Sequence, residues 1–197
     1  MNAIEMQKIK AVVIGASAGG ITALLRILRP LPSTFALPIA IVVHVPNSRD
    51  SKLAEVFQYH LAMKVQQALD KEWIKPGIIY FAPAGYHLSI EKNFSFSLSC
   101  EEPESFARPS IDVLMQSAAD ACGNAVAGIL LTGANHDGAE GLASITRSGG
   151  LSIVQDPREA ETPIMPQTAI DFCRPTLILK LDEIHHTLLD LGKKYDH

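Results

Sequence analysis

The 197 residues are 47% hydrophobic, and no Pro/Ser/Gly-rich stretch divides them, which predicts a single globular domain over residues 1–197. The formal net charge of −4 comes without any lysine or arginine cluster, which argues against nucleic acid as a partner. Because the chain shows neither a signal peptide nor a run of roughly 18 apolar residues, we expect no membrane insertion and a cytoplasmic location.

Along the chain, short apolar runs rich in β-branched residues alternate with amphipathic stretches. This alternation predicts an α/β fold with a doubly wound, mostly parallel sheet flanked by helices. The predicted strands cover residues 11–14, 39–43, 78–81, 128–131, 151–154 and 177–179. The predicted helices cover residues 20–28, 52–63, 111–121, 139–147 and 182–191. Residues 86–100 have a period-two pattern instead, which predicts a β-hairpin at a sheet edge or over the site.

The first predicted strand runs into a glycine-rich turn, VVIGASAGG over residues 12–20, with Ser17 at its centre. On such a strand-to-helix bend the serine hydroxyl projects above the sheet edge, beside backbone N–H groups that point the same way. This position suits a nucleophile. Serine is also a preferred N-cap, so the turn alone equally allows a Ser17 that only caps the first helix.

Three other motifs compete for the same turn. A phosphate-binding P-loop needs a lysine where Ile21 stands, which makes a nucleoside triphosphate site improbable. A dinucleotide fingerprint needs glycine where Ser17 stands and an acidic residue about 20 positions later, whereas the second strand ends in His44. The α/β-hydrolase elbow requires several strands before its serine, and here one strand precedes it.

Polar residues of the three types found in catalytic triads follow three predicted strands: Ser17, His44 and Asp137. Carboxyl ends of parallel strands meet at one edge of a sheet, where ligands bind. A serine hydroxyl needs a base, and an imidazole base needs a carboxylate to fix its tautomer. Each residue also has a structural interpretation: His44 as a strand-end histidine and Asp137 as a turn residue. Asp156, which follows another strand, is a rival for the carboxylate.

The remaining candidates concern the oxyanion, metals and thiols. We expect the oxyanion-binding groups among Ala18, Gly19 and Ala134, whose backbone lies in glycine-rich turns. The seven histidines have no metal-ligand spacing, so we expect neither a metal nor a cofactor. The three cysteines are odd in number and far apart in sequence, which predicts reduced, mostly buried thiols. They are Cys100, Cys122 and Cys173.

With these residues in place, the sequence resembles the catalytic domain of the CheB family of protein-glutamate methylesterases, over nearly the whole chain. The segments that carry the resemblance are VIGASAGG at 13–20, VHVP at 43–46, IYFAPAG at 79–85 with His87, RPSIDVL at 108–114, LTG at 131–133 with DGA at 137–139, QDP at 155–157, and MP at 165–166. They occur in the order found in the family.

The resemblance implies a Rossmann-like domain that hydrolyses glutamate γ-methyl esters on the cytoplasmic helical domain of methyl-accepting chemoreceptors. Methanol would be released, and certain glutamines would be deamidated. By motif position, Ser17 would be the nucleophile, His44 the general base and Asp137 its orienting carboxylate, in preference to Asp156.

The chain also departs from the family pattern. Ala134 and Asn135 stand where the family usually has Met-Gly, next to the expected oxyanion site, and Ile164 replaces a glycine. Ten residues before the first predicted strand cannot contain the N-terminal receiver domain that the family usually has, so we expect a stand-alone enzyme that needs no phosphoryl donor, with a separate regulatory protein as a further candidate partner. The altered loop is the main support for an alternative function, a catalytically weak protein-binding module.

Overall fold

The computed structural model describes residues 9–45, 52–104 and 107–195. In chain order, the strands are β1 (Ala11–Ala16), β2 (Ile39–Val43), β3 (Lys64–Gln67), β4 (Ile78–Phe81), β5 (His87–Ile90), β6 (Phe96–Ser99), β7 (Val126–Leu130), β8 (Leu151–Gln155) and β9 (Leu177–Leu179). The helices are α1 (Gly20–Leu28), α2 (Leu53–His60), α3 (Ile111–Cys122), α4 (Ala139–Arg147), α5 (Ile164–Cys173) and α6 (Leu181–Tyr195). None of these helices is long and apolar enough to cross a membrane.

Seven strands form one parallel sheet in the order β3-β4-β2-β1-β7-β8-β9. From β1 the chain adds β2, then edge strand β3 and, between those two, β4, before it crosses to β7 on the other side of β1. The strand order therefore reverses beside β1, which is where ligands bind in doubly wound folds. The predicted α/β fold class is confirmed.

The two faces of the sheet are covered by different helices because the strand residues alternate in direction. Val12 and Ile14 pack with α1, α2 and α6, whereas Val13 packs with α3, α4 and α5. Every residue of β1, β2 and β7 is buried. Such continuous burial explains why these strands read as uninterrupted apolar runs.

Strand β3 and helix α5 differ from the sequence-based expectations. Strand β3 is a polar edge strand in which only Val65 is buried, and no strand was predicted there. The helix predicted over residues 52–63 ends earlier, at His60. Helix α5 contains Pro166 in its first turn, where a backbone N–H has no intrahelical partner and proline is tolerated. No helix was predicted over these residues.

The predicted hairpin is confirmed as the antiparallel pair β5 and β6. It stands outside the seven-stranded sheet and packs on α3, where the Ile90 N–H donates to Ser117 Oγ at 3.1 Å. At its start, buried His87 accepts the Ser110 N–H on Nδ1 at 3.2 Å, and its Nε2 lies 3.0 Å from the Glu102 carbonyl oxygen. The hairpin is thereby tied to the residue that precedes α3.

The three thiols are free, but the expectation that most are buried was wrong. Cys100 is exposed, and Cys122 and Cys173 are half-buried. Cys100 follows the outer strand of the hairpin, which has only one fully buried residue, Phe96.

Helix α3 begins unusually close to β1 because Gly15 has no side chain. A Cβ at Gly15 would lie 2.2 Å from Ile111 Cγ2. We therefore expect Gly15→Ala to lower the free energy of unfolding by about 1–3 kcal/mol, the usual cost of overpacking. Urea denaturation measures this change.

A double-mutant cycle with Ile111→Ala tests the cause of that loss. If the two side chains collide, Gly15→Ala/Ile111→Ala loses less stability than the sum of the single variants. Strict additivity would contradict the close approach.

Candidate active site

Ser17 lies directly after β1, on the turn that enters α1. Its N–H donates to the Thr132 carbonyl oxygen at 2.9 Å, and its own carbonyl accepts the Gly20 N–H at 2.7 Å. Gly19 occupies the N-cap of α1 with φ of 76°, and no side chain caps the helix. The interpretation of Ser17 as the helix cap is therefore wrong, and its half-buried hydroxyl is left for another role.

Thr132 connects the serine turn by hydrogen bonds to the end of β8 and to the segment before α5. Its Oγ1 donates to the Ala18 carbonyl at 2.9 Å and accepts the Thr162 N–H, also at 2.9 Å. Its N–H donates to Gln155 Oε1 at 2.8 Å. A single buried threonine thus holds together the ends of β1, β7 and β8 and the approach to α5.

His44 follows β2 at the same sheet edge, and its N–H donates to the Ala16 carbonyl at 3.0 Å. Its Nε2 lies 3.0 Å from Asp137 Oδ2. The ring N–H does not point straight at the carboxylate oxygen, so the contact is close but poorly aligned as a hydrogen bond. The other ring nitrogen, Nδ1, lies 3.2 Å from Asn135 Nδ2.

Asp137 is fully buried and is held by the first turn of α3. It accepts the Ser110 hydroxyl at 2.8 Å, the Ile111 N–H at 2.7 Å and the Asp112 N–H at 2.9 Å. Burial acts to raise the pKa of this carboxyl, but the His44 contact and the two N–H donors outweigh it and lower the pKa. The carboxylate consequently stabilises the fold above about pH 4 and loses that contribution as the pH falls.

Asp112 forms a second buried carboxyl beside Asp137, and sequence reasoning had given it no role. Its Oδ1 accepts the Gly141 N–H at 2.7 Å. Burial, and then the neighbouring Asp137, raise the pKa of Asp112 above its ordinary value. Of the two neighbouring acids, Asp137 is the ionised one that faces His44, and Asp112 is the one that retains a proton.

Asp156, the other candidate for the carboxylate that orients His44, is paired with Arg158 and not with His44. It is 5% exposed, and its Oδ2 lies 2.6 Å from the Arg158 guanidinium. Hydrogen bonds from Arg158 lower the pKa of Asp156 to about 2. The structure thus places Asp137, and not Asp156, against His44.

The backbone groups expected to bind an oxyanion lie around Ser17. In the described parts of the chain, no group accepts the N–H of Ala18 or Gly19 in a hydrogen bond. Such N–H groups at the start of a helix favour a negative charge. Ala134 is exposed, beyond Gly133, whose missing side chain makes room for Met165 and Ser17. Over residues 9–45, 52–104 and 107–195, no cluster of His, Cys, Asp or Glu could hold a metal ion.

The raised pKa of Asp112 leads to a stability prediction. Burial raises the pKa of Asp112 to about 7. Between about pH 4 and pH 7 the unfolded chain therefore releases the Asp112 proton while the folded protein retains it, so this group makes wild-type stability fall as the pH rises through that range. Asn can still accept the Gly141 N–H and has no proton to lose. We expect the stability of Asp112→Asn relative to wild type to increase from about pH 4 to about pH 7, measured by urea denaturation.

Asp112→Ala is the matched variant, because it leaves the Gly141 N–H without its acceptor and should cost about 1–3 kcal/mol. An Asp112→Asn protein that loses stability relative to wild type with rising pH would contradict the assigned protonation.

Comparison with known proteins agrees with this architecture. The sequence profile of the CheB methylesterase family matches residues 12–188. A Leptospira interrogans protein described as a "putative protein-glutamate methylesterase/protein-glutamine glutaminase" is 43% identical over 184 residues, which cover 93% of this chain and 95% of that protein.

Two further similarities differ in how much of the other protein they cover. A Carboxydothermus hydrogenoformans protein-glutamate methylesterase/protein-glutamine glutaminase is 39% identical over 178 residues, 88% of this chain but 52% of that protein. The crystal structure of the Thermotoga maritima CheB methylesterase catalytic domain superposes with a TM-score of 0.87 at 30% identity, covering 93% of this chain and 98% of that one.

Proposed function

We propose, from the premise that this chain belongs to the CheB methylesterase family, that it is a carboxylic ester hydrolase with Ser17 as its nucleophile. Its substrates would be glutamate γ-methyl esters, and glutamine amides as a second class, as the names of its relatives state for those proteins. The contact of His44 Nε2 with buried Asp137, at the sheet edge where the serine turn begins, carries the proposal.

The proposed chemistry follows from which atom of His44 is paired. Because Nε2 faces the Asp137 carboxylate, Nδ1 is the nitrogen that accepts the Ser17 proton. As Oγ bonds to the ester carbon, the carbonyl electrons move onto oxygen, where the N–H groups of Ala18 and Gly19 stabilise the charge. Breakage of the carbon–methoxy bond then transfers the proton from Nδ1 to the leaving oxygen and yields methanol.

Water completes the reaction in the reverse sense. Water attacks the acyl carbon and gives a proton to His44. The bond between the acyl carbon and Ser17 Oγ then breaks, His44 returns the proton to Oγ, and the glutamate carboxylate is released. With a glutamine side chain, ammonia leaves in place of methanol. Throughout both halves, Asp137 stabilises the positive charge that develops on the imidazole.

For the partner, we propose the cytoplasmic helical domain of methyl-accepting chemoreceptors, with a separate regulatory protein as a further partner. A helical substrate must present its ester to the sheet edge that holds Ser17. Exposed Ile164 and Phe172 on α5 lie on the helix that packs beside Gly133 and offer an apolar surface there.

A catalytically weak binding module remains the second candidate function. The observation that favours it is that His44 Nδ1 contacts Asn135, while no described group forms a hydrogen bond with the Ser17 hydroxyl. A fluorophosphonate probe, which labels only an activated serine, separates the two functions.

We expect Ser17→Ala to abolish methanol release from methylated receptor and labelling by the probe, with a loss of about 10⁴-fold or more. The fold should survive because the side chain lies on a half-buried turn. Ser97→Ala on β6 is the matched control. A folded Ser17→Ala protein with wild-type turnover would remove Ser17 from the mechanism.

Asp137→Asn should be the more damaging of two aspartate substitutions. An Asn amide would present a donor to one of the groups that now donate to Asp137, and by analogy with the serine-protease triad kcat should fall by about 10⁴-fold. Asp156→Asn loses only a pairing with exposed Arg158 and should change kcat little. Turnover assays at equal concentrations of folded protein compare kcat of the two variants. A larger loss in Asp156→Asn than in Asp137→Asn would contradict the choice of Asp137 as the partner of His44.

A further inference from the structure

Asn135 contacts both of the residues that the proposed mechanism pairs. Its Oδ1 accepts the Asp137 N–H at 3.2 Å, and its Nδ2 lies 3.2 Å from His44 Nδ1. The backbone N–H can only donate, so the oxygen of the amide must face Asp137. The NH₂ group therefore faces the imidazole, and this orientation follows from the contacts themselves.

The contacts of the ring also define its protonation. An amide NH₂ donates and cannot accept, so His44 Nδ1 presents its lone pair to Asn135. The ring proton is then on Nε2, which faces Asp137 Oδ2. Asn135 and Asp137 thus select the same neutral tautomer from opposite sides of the ring.

We propose that Asn135 is a positioning residue that restrains the catalytic base. It occupies the Nδ1 lone pair in the resting site and must release it before Ser17 can be deprotonated. The inference rests on the proposed function, because it assumes that Nδ1 is the atom that takes the serine proton.

The restraint follows from the number of lone pairs. Nδ1 has one lone pair, and the Asn135 amide and the Ser17 hydroxyl cannot both be bonded to it in line. Once Nδ1 has taken the Ser17 proton, the Asn135 NH₂ would face another donor, so this contact has to break during the reaction. The charged group that the structure places against the imidazole is Asp137, at Nε2, with the Asp112 carboxyl behind it.

Two variants of Asn135 distinguish an amide that restrains His44 from one that helps His44 to act as the base. Asn135→Ala removes the competing donor, so labelling of Ser17 by a fluorophosphonate at neutral pH should become about fivefold faster, the equivalent of one neutral hydrogen bond. Asn135→Asp keeps an oxygen for the Asp137 N–H but turns an acceptor toward Nδ1. It should slow labelling at neutral pH and move the acidic limb of the rate profile upward by roughly one to three pH units.

His136→Ala is the matched control. His136 is the next residue in the same loop, but it is exposed and its Nδ1 lies 3.1 Å from Thr168 Oγ1 instead of facing His44. Labelling by this variant should equal that of wild type. General damage to the loop would slow all three variants together, and this outcome would overturn the proposal, as would a slower or unchanged rate in Asn135→Ala.

Nitrogen NMR of the imidazole provides a readout that does not depend on activity. With ¹⁵N-histidine protein, assigned by comparison with His44→Gln, the Nδ1 resonance of His44 should move downfield in Asn135→Ala, because a nitrogen that has lost its donor resembles a free imine. An unmoved resonance would overturn the inference. Wild-type protein that is never labelled at Ser17 would overturn the proposed function instead, and the resonance would still decide whether Asn135 holds Nδ1.

Discussion

The interaction on which the site depends is the one between the Asp137 carboxylate and the first turn of α3. A helix begins with N–H groups that have no partner within the helix, and a buried carboxylate needs donors to remain charged. Here each supplies what the other lacks, since Ile111 and Asp112 donate their N–H groups and Ser110 adds its hydroxyl. The charge that faces His44 is therefore stabilised before any substrate arrives.

Close packing determines where that turn can be. Gly15 lets Ile111 approach β1, and Gly138, with φ of 97°, lies against the same isoleucine and Leu130. Side chains at either glycine would push the start of α3 away from the sheet. Two backbone positions without side chains thus bring the helix donors within reach of the loop after β7.

Sequence reasoning succeeded where physical signals are local. Continuous apolar runs mark β1, β2 and β7, and the serine that precedes the predicted helix 111–121 is the N-cap of α3, where the Ser110 hydroxyl accepts the Val113 N–H. Edge strand β3 was missed because its residues are mostly polar. Ser17, His44 and Asp137 were predicted to lie at one sheet edge, as the strand topology places them, whereas their catalytic roles remain predictions.

Long-range contacts left weaker signals. Asn135 was noticeable only as a departure from the family pattern, and nothing in the sequence indicates that its amide reaches a histidine 91 positions away. Asp112 looked like an ordinary first-turn acid of a helix. Its proximity to a second carboxyl depends on how α3 meets the loop after β7, which local propensity does not reveal.

The bond from Thr132 to the Ala18 carbonyl spans 114 positions, and this separation affects how the protein is made. During synthesis the serine turn and His44 emerge before the carboxylate and its loop, which lie well downstream along the chain. A ribosome-bound segment that stops short of β7 contains a serine and a histidine without the partners that position them. The arrangement of the three side chains at one sheet edge is therefore incomplete until the loop after β7 has been made, so a product of translation that ends before Asp137 lacks it.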